Sequence, residues 1–224
     1  MITRRKPIIR SLKVAVLGLV ILGVAAVGLR LISAEDSSDL KKMVAPRYAE
    51  GNQLILPEGY RTWVFVGASI GLSYSEGAPR EGPGLFHHIY MQPEAYAHYK
   101  RTKQFPEKTM LVMEVYKPEQ KVSINKGGYF EGDRVAIEVA LKDREKFEEG
   151  WAYFDFGNAS KSSAKAFPKA SCFDCHKQHA EDDNVFTQFY PVLRDVKKTS
   201  RLVNDPDPLT QIYSDRLGLF SLDG

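Results

Sequence analysis

The chain has 224 residues, with 31 Lys and Arg against 28 Asp and Glu, a formal net charge of +3 and 43% hydrophobic residues. Residues 1–34 hold six of the cations and no acid, so without them the net charge falls from +3 to −3. The basic balance therefore belongs to that segment, and no other run of like charge marks a nucleic-acid or polyanion partner; the remaining ~190 residues suit one domain with a substantial core.

Arg4, Arg5, Lys6, Arg10 and Lys13 precede an apolar run from Val14 to Leu29, and Ile32-Ser33-Ala34 offers a cleavage site before Glu35. This is the pattern of a secretory signal peptide, short for a full membrane span. Arg30 directly after the run leaves retention as an amino-terminal anchor open. Either way the globular part is expected outside the cytoplasm, in the periplasm.

Residues 35–53 read as a polar linker or short helix, with Ser37, Ser38 and Asp39 as caps ahead of Leu40. The domain proper is expected over 54–195, from Leu54-Ile55-Leu56-Pro57 onward. Five segments rich in β-branched and aromatic residues predict strands: 61–66, 85–91, 109–116, 134–141 and 151–156. Gly and Pro clusters at 77–84 and 127–128 predict turns. Pro93 to Arg101 predicts a short helix with proline in its first turn. Lys142 to Gly150 is too charged for a buried strand and predicts a turn or one helical turn, while 158–169 reads as a connector. The tail, 196–224, shows no strong periodicity and is interrupted by Asp205-Pro206-Asp207-Pro208.

The only two cysteines lie in Cys172-Phe173-Asp174-Cys175-His176. C-x-x-C-H is the attachment sequence of a c-type haem. Two thiols three positions apart lie on one side of a helical turn and can add to the two haem vinyl groups; the adjoining imidazole supplies an axial nitrogen. Other readings explain less. Structural zinc needs two more ligands at matching spacing, and His179 alone does not provide them. A thioredoxin-like pair needs a βαβ context, and a simple disulfide leaves His176 unexplained. Ser171 is a candidate N-cap for the helix, with Asp174 in its first turn. Small helical c-type cytochromes carry the motif early; here five strands precede it. The fold expected is α+β and β-rich: a mainly antiparallel sheet packed with a few helices and closed by a carboxy-terminal haem-attachment helix.

The segments 56–67 (LPEGYRTWVFVG), 89–100, 127–143, 150–156 and 172–194, with the continuation Val185-Phe186-Thr187-Gln188-Phe189-Tyr190-Pro191, resemble the cytochrome P-460 family, which includes the cytochromes c′-β. The resemblance spans roughly residues 54–194. It implies a homodimer with one covalent haem c per chain, His176 as the proximal iron ligand, and an open opposite face. Some members oxidise hydroxylamine; others chiefly bind nitric oxide and related small ligands.

Two departures qualify the resemblance. Hydroxylamine-oxidising members join a lysine covalently to the macrocycle, and that position here is Met113; Lys108 lies in the preceding turn. His87 falls where those members carry a distal arginine. Met113 is expected to pack against the haem as a flexible thioether, its coordination to iron being the alternative. Strand alternation lets only one of His87 and His88 face the pocket, and alignment favours His87, as a hydrogen-bond donor or a ligand. Glu138 matches an acidic residue near the distal pocket, on the strand face opposite Val135, Ile137, Val139 and Leu141, where it would relay protons; its alternative is a surface pair with Arg134. His98 and His179 read as solvated, and Phe186, Phe189 and Tyr190 as packing for the haem helix.

The expectation is an exported mono-haem cytochrome with an open distal site for nitric oxide or a related nitrogen ligand. The replacement of the lysine by Met113 argues against hydroxylamine oxidation by the family's usual route and leaves other routes to that activity open. A six-coordinate electron-transfer cytochrome with an unknown redox partner is the alternative. Membrane contact is expected only if the amino-terminal segment is retained, and nucleic acid is not expected as a partner.

Overall fold

The computed structural model describes residues 38, 40–72 and 82–204, with side chains as far as 198. The expected targeting segment, most of the 77–84 turn cluster and the Asp205–Pro208 stretch lie outside the described residues. The chain divides into two units, residues 1–42 and 43–224. In the first, Ser38 and residues 40–42 are helical.

The second unit holds two antiparallel sheets and is α+β and β-rich. Strands β1 (Tyr48–Ala49), β2 (Gln53–Ile55) and β8 (Ser163–Ala164) form a small sheet in the order β1-β2-β8. The main sheet is a meander of β3 (Val64–Ile70), β4 (Phe86–Met91), β5 (Met110–Glu119), β6 (Phe130–Lys142) and β7 (Trp151–Asp155) in sequence order. Helix α1 (Pro93–Thr102) follows β4, with proline at its start as expected. Helices α2 (Phe173–His179) and α3 (Pro191–Asn204) come last.

The period-2 alternation of the strands sorts the core into two clusters, one on each face of the main sheet. Ile89, Met91, Leu111 and Tyr153 share a cluster with Ala95 and Tyr99 of α1 and Leu193 and Val196 of α3. Val112, Ile137, Val139 and Phe154 lie in the other, with Leu54 and Ala164 of the small sheet. Strands β5 and β7 thus have both faces covered, which explains their nearly continuous apolar sequence; β3, at the sheet edge, leaves Phe65 and Ala68 exposed.

Several boundaries differ from expectation. Residues 60–62 form a 3-10 turn and the strand begins at Val64. The left-handed Gly59 (φ 69°) starts that turn, and Arg61 reaches instead to the Glu114 carboxylate at 2.7 Å. Lys142 still belongs to β6, and the expected turn follows it, closed by the Asp143 amide donating to the Gly150 carbonyl at 2.8 Å, with Gly150 at φ 81°. Ser171 does not cap the haem-motif helix. It ends a 3-10 turn, its amide donating to the Pro168 carbonyl at 2.9 Å, so Cys172 occupies the cap position without a side-chain bond. Helix α3 runs through the expected limit at 195 to Asn204. Leu193 and Val196, three positions apart, are both buried and anchor it.

Candidate functional site

A cavity of about 340 Å³ opens between the main sheet and the segment carrying α2. The sheet builds one wall in transverse rows, because cross-strand partners point to the same face. Ile89, Met113 and Glu138 are successive partners in one row; Leu111, Ala140 and Tyr153 make the next. Ser69 and His87 pair at the β3–β4 end. The opposite wall brings Cys172, Cys175 and His176, then Phe186, Phe189 and Tyr190 from the segment that returns towards α3.

His176 is held on three sides. Its Nδ1 lies 2.8 Å from the Asn184 carbonyl oxygen, which can only accept, so Nδ1 carries the proton and Nε2 keeps its lone pair. The ring sits between Tyr153 and Phe186, with centroids at 4.4 Å and 4.5 Å. Burial lowers its pKa and the bond to Asn184 opposes this only in part, so the imidazole is neutral and able to ligate. Both cysteines are free and half-buried. Burial, then the charges of Glu138 and Cys175, push the Cys172 thiol up to about 11.

Glu138 is in the sheet wall, on the face opposite Ile137 and Val139, as the alternation predicts. Burial raises its pKa, and the neighbouring Asp155 carboxylate raises it further. The alternative pairing with Arg134 is not made: Arg134 donates from Nη1 to Glu114 Oε1 at 3.1 Å, on the far side of the sheet. His87 faces the cavity with Nδ1 3.0 Å from Ser69 Oγ. His88 faces the other way, its Nε2 2.9 Å from Glu131 Oε1. Met113 is in the cavity wall directly between Ile89 and Glu138, whereas His98 and His179 lie outside it.

Sequence reasoning passed over Tyr153, Ser69 and Asn184. Tyr153 could have been found as the middle residue of the alternating WAYFD strand. Asn184 contributes a backbone carbonyl, which carries no residue-type signal.

Two thiols and a neutral imidazole along one wall, with apolar residues opposite, form the donor set of a haem-binding cytochrome, and the residues present fit that group. The cytochrome P460 family model matches residues 57–187, more than half of the chain, so the chain belongs to the cytochrome P460 family. That match spans the whole main sheet and the C-x-x-C-H helix. No curated protein matches the chain significantly. No helix among the described residues is long and apolar enough to cross a membrane.

Proposed function

We propose that the protein is an exported mono-haem c-type cytochrome that binds nitric oxide or a related small nitrogen ligand. The observation that carries this reading is the division of the cavity walls: both thiols and the His176 imidazole on one side, Met113, Glu138 and His87 on the other. Cys172 and Cys175 would hold the haem through thioether bonds and His176 Nε2 would be the fifth iron ligand. When bound, the haem supplies the ligand-binding iron and the one-electron chemistry. The chain supplies the rest. Asn184 fixes the tautomer of His176; Glu138, with its raised pKa, can hold a proton at the cavity wall and give it up to a ligand. His87, bonded to Ser69, is a second polar group on that side. Ile89, Leu111 and Phe186 keep the rest of the cavity apolar and limit water.

Hydroxylamine oxidation by the lysine-linked route is not part of the proposal, because Met113 has no amine to join to the macrocycle. The rival reading, a six-coordinate electron carrier, draws on the same residue, since the Met113 thioether or the His87 imidazole would then be the sixth ligand. Export is part of the proposal: c-type haem is attached outside the cytoplasm, and residues 1–34 have the pattern of a signal segment. A homodimer, implied by the family resemblance, is checked by sedimentation.

The test is an absorption spectrum of the matured protein, ferric and ferrous, before and after nitric oxide. A five-coordinate spectrum that shifts on addition supports the proposal; a low-spin spectrum unmoved by the ligand overturns it. Haem that stays with the chain in acidified acetone, but is lost from a Cys172→Ser, Cys175→Ser variant, checks the attachment. Hydroxylamine consumption with an artificial electron acceptor should be slow in the unmodified chain. Turnover as fast as that of lysine-bearing relatives would place the protein among the oxidases.

A further inference from the structure

Outside the cavity, the residue before Asn184 takes part in an ion pair with a buried lysine. Lys142, at the end of β6, is 5% exposed. Its Nζ donates to Asp183 Oδ2 at 2.7 Å and to the Phe105 carbonyl at 2.6 Å. The other carboxylate oxygen, Oδ1, accepts from Trp151 Nε1 at 3.1 Å. Lys142 and Trp151 are cross-strand partners of β6 and β7, so Asp183 is gripped by two donors fixed on one rigid sheet edge. Phe105 completes the seat, stacked on Tyr99 at 4.3 Å and edge-on to Trp151 at 6.1 Å.

The Lys142 ammonium is desolvated while the Asp183 side chain stays 30% exposed, so the cost of burying the lysine offsets much of the pair's Coulomb gain. What this pair accomplishes is local. Asp183 and the next residue, Asn184, both adopt left-handed backbone angles, φ 42° and 61°. Two such residues in succession are strained, and Asp and Asn are among the few types besides Gly that visit the region readily. The resulting turn directs the Asn184 carbonyl at His176 Nδ1, and the same oxygen accepts from Tyr153 Oη at 3.3 Å.

The geometry points to Lys142, Asp183 and Trp151 as positioning residues for the proximal imidazole. They hold the strained turn so that the Asn184 carbonyl receives the Nδ1 proton of His176. This rests on the reading of His176 as the iron ligand. A hydrogen-bonded Nδ1–H makes the imidazole a stronger donor, which strengthens its bond to iron and favours the oxidised state. Releasing Asp183 weakens that bond without touching the ligand.

The experiment compares full-length holoprotein with the variants Asp183→Ala, Lys142→Met, Trp151→Phe and Asp183→Asn. Resonance Raman of the ferrous state reads the iron–histidine stretch, and a spectroelectrochemical titration reads the reduction potential. Asp183→Ala and Lys142→Met should move the stretch to lower frequency and the potential upward. Trp151→Phe, which removes one donor and keeps the ring, should give the same shifts in smaller measure and serves if the other two do not fold. Asp183→Asn, which can still accept a hydrogen bond, should restore much of both readings. Tyr99→Phe is the control: it deletes the neighbouring bond to Asp182 Oδ2 at 2.8 Å, and should lower the melting temperature with the stretch unchanged. Variants that melt earlier with stretch and potential unmoved overturn the inference, as do equal shifts in Tyr99→Phe. An iron–histidine stretch missing from the unmodified protein overturns the reading of His176 as well.

Discussion

Glu114 and Glu138 stand on neighbouring strands and titrate in opposite directions, because they face opposite sides of the sheet. Burial would raise the Glu114 pKa, but hydrogen bonds from Tyr60, Arg61 and Tyr116 and the Arg61 charge outweigh it and hold the carboxyl below its usual value. Its stability contribution is therefore present above the unfolded value near 4.5 and is lost as pH falls through the lowered folded value. Glu114→Gln should destabilise the protein at pH 7 by about 2–4 kcal/mol, from the cost of stranding buried charges, reduced because the Arg61 side chain is 58% exposed. Denaturant midpoints measure it, and the haem spectrum should be unchanged because the cluster is on the far side of the sheet. Glu138 has the reverse sign. Its folded pKa lies above 4.5, so the ionised form is disfavoured in the folded state and stability falls as pH rises from the unfolded value through the folded one. Glu138→Gln should therefore match the unmodified protein in melting temperature below pH 4 and exceed it above the raised value. Melting curves across pH check this, and a variant that melts lower at neutral pH would contradict it.

At the scale of elements, the corner where α3 begins is set by β3. A Cβ at Gly67 would lie 3.1 Å from Tyr190 Cα and 3.2 Å from Pro191 Cδ, so this strand position accepts no side chain without moving the corner. Gly67→Val should destabilise by about 1–3 kcal/mol, the usual range for overpacking. Because Tyr190 is in the cavity wall, it should also shift the Soret band, which separates it from a remote core defect. Leu193→Ala on α3, whose parent side chain is fully buried, should lose about 2–5 kcal/mol in equilibrium unfolding. The five strands were legible because β-branched and aromatic runs are bounded by turn residues. Helix α3 was not, because its described apolar residues, Val192, Leu193 and Val196, are confined to its first two turns and give no longer period to read. The missed cap at Ser171 has a similar origin: Pro168 starts a turn upstream, and a residue inside that turn is no longer free to cap.

For the whole molecule, the cavity lies between the sheet and the return from α2 to α3. Filling it should tie the two walls together. The holoprotein is expected to melt above the Cys172→Ser, Cys175→Ser form made without haem, by about 2–4 °C for each kcal/mol gained, read by circular dichroism. The sequence by itself determined the chemistry of one wall: two thiols and an imidazole at local spacing define their relation without any fold. It also determined which residues of one strand share a face, because alternation is a local property, and so set Glu138 opposite Ile137 and Val139 and separated His87 from His88. Only the tertiary structure decided what those residues face. The strand register put Met113 beside Glu138, the loop after α2 brought the Asn184 carbonyl to His176, and Lys142 met Asp183 across 41 positions of chain. Such contacts depend on backbone direction and long-range closure, and neither is written in residue type.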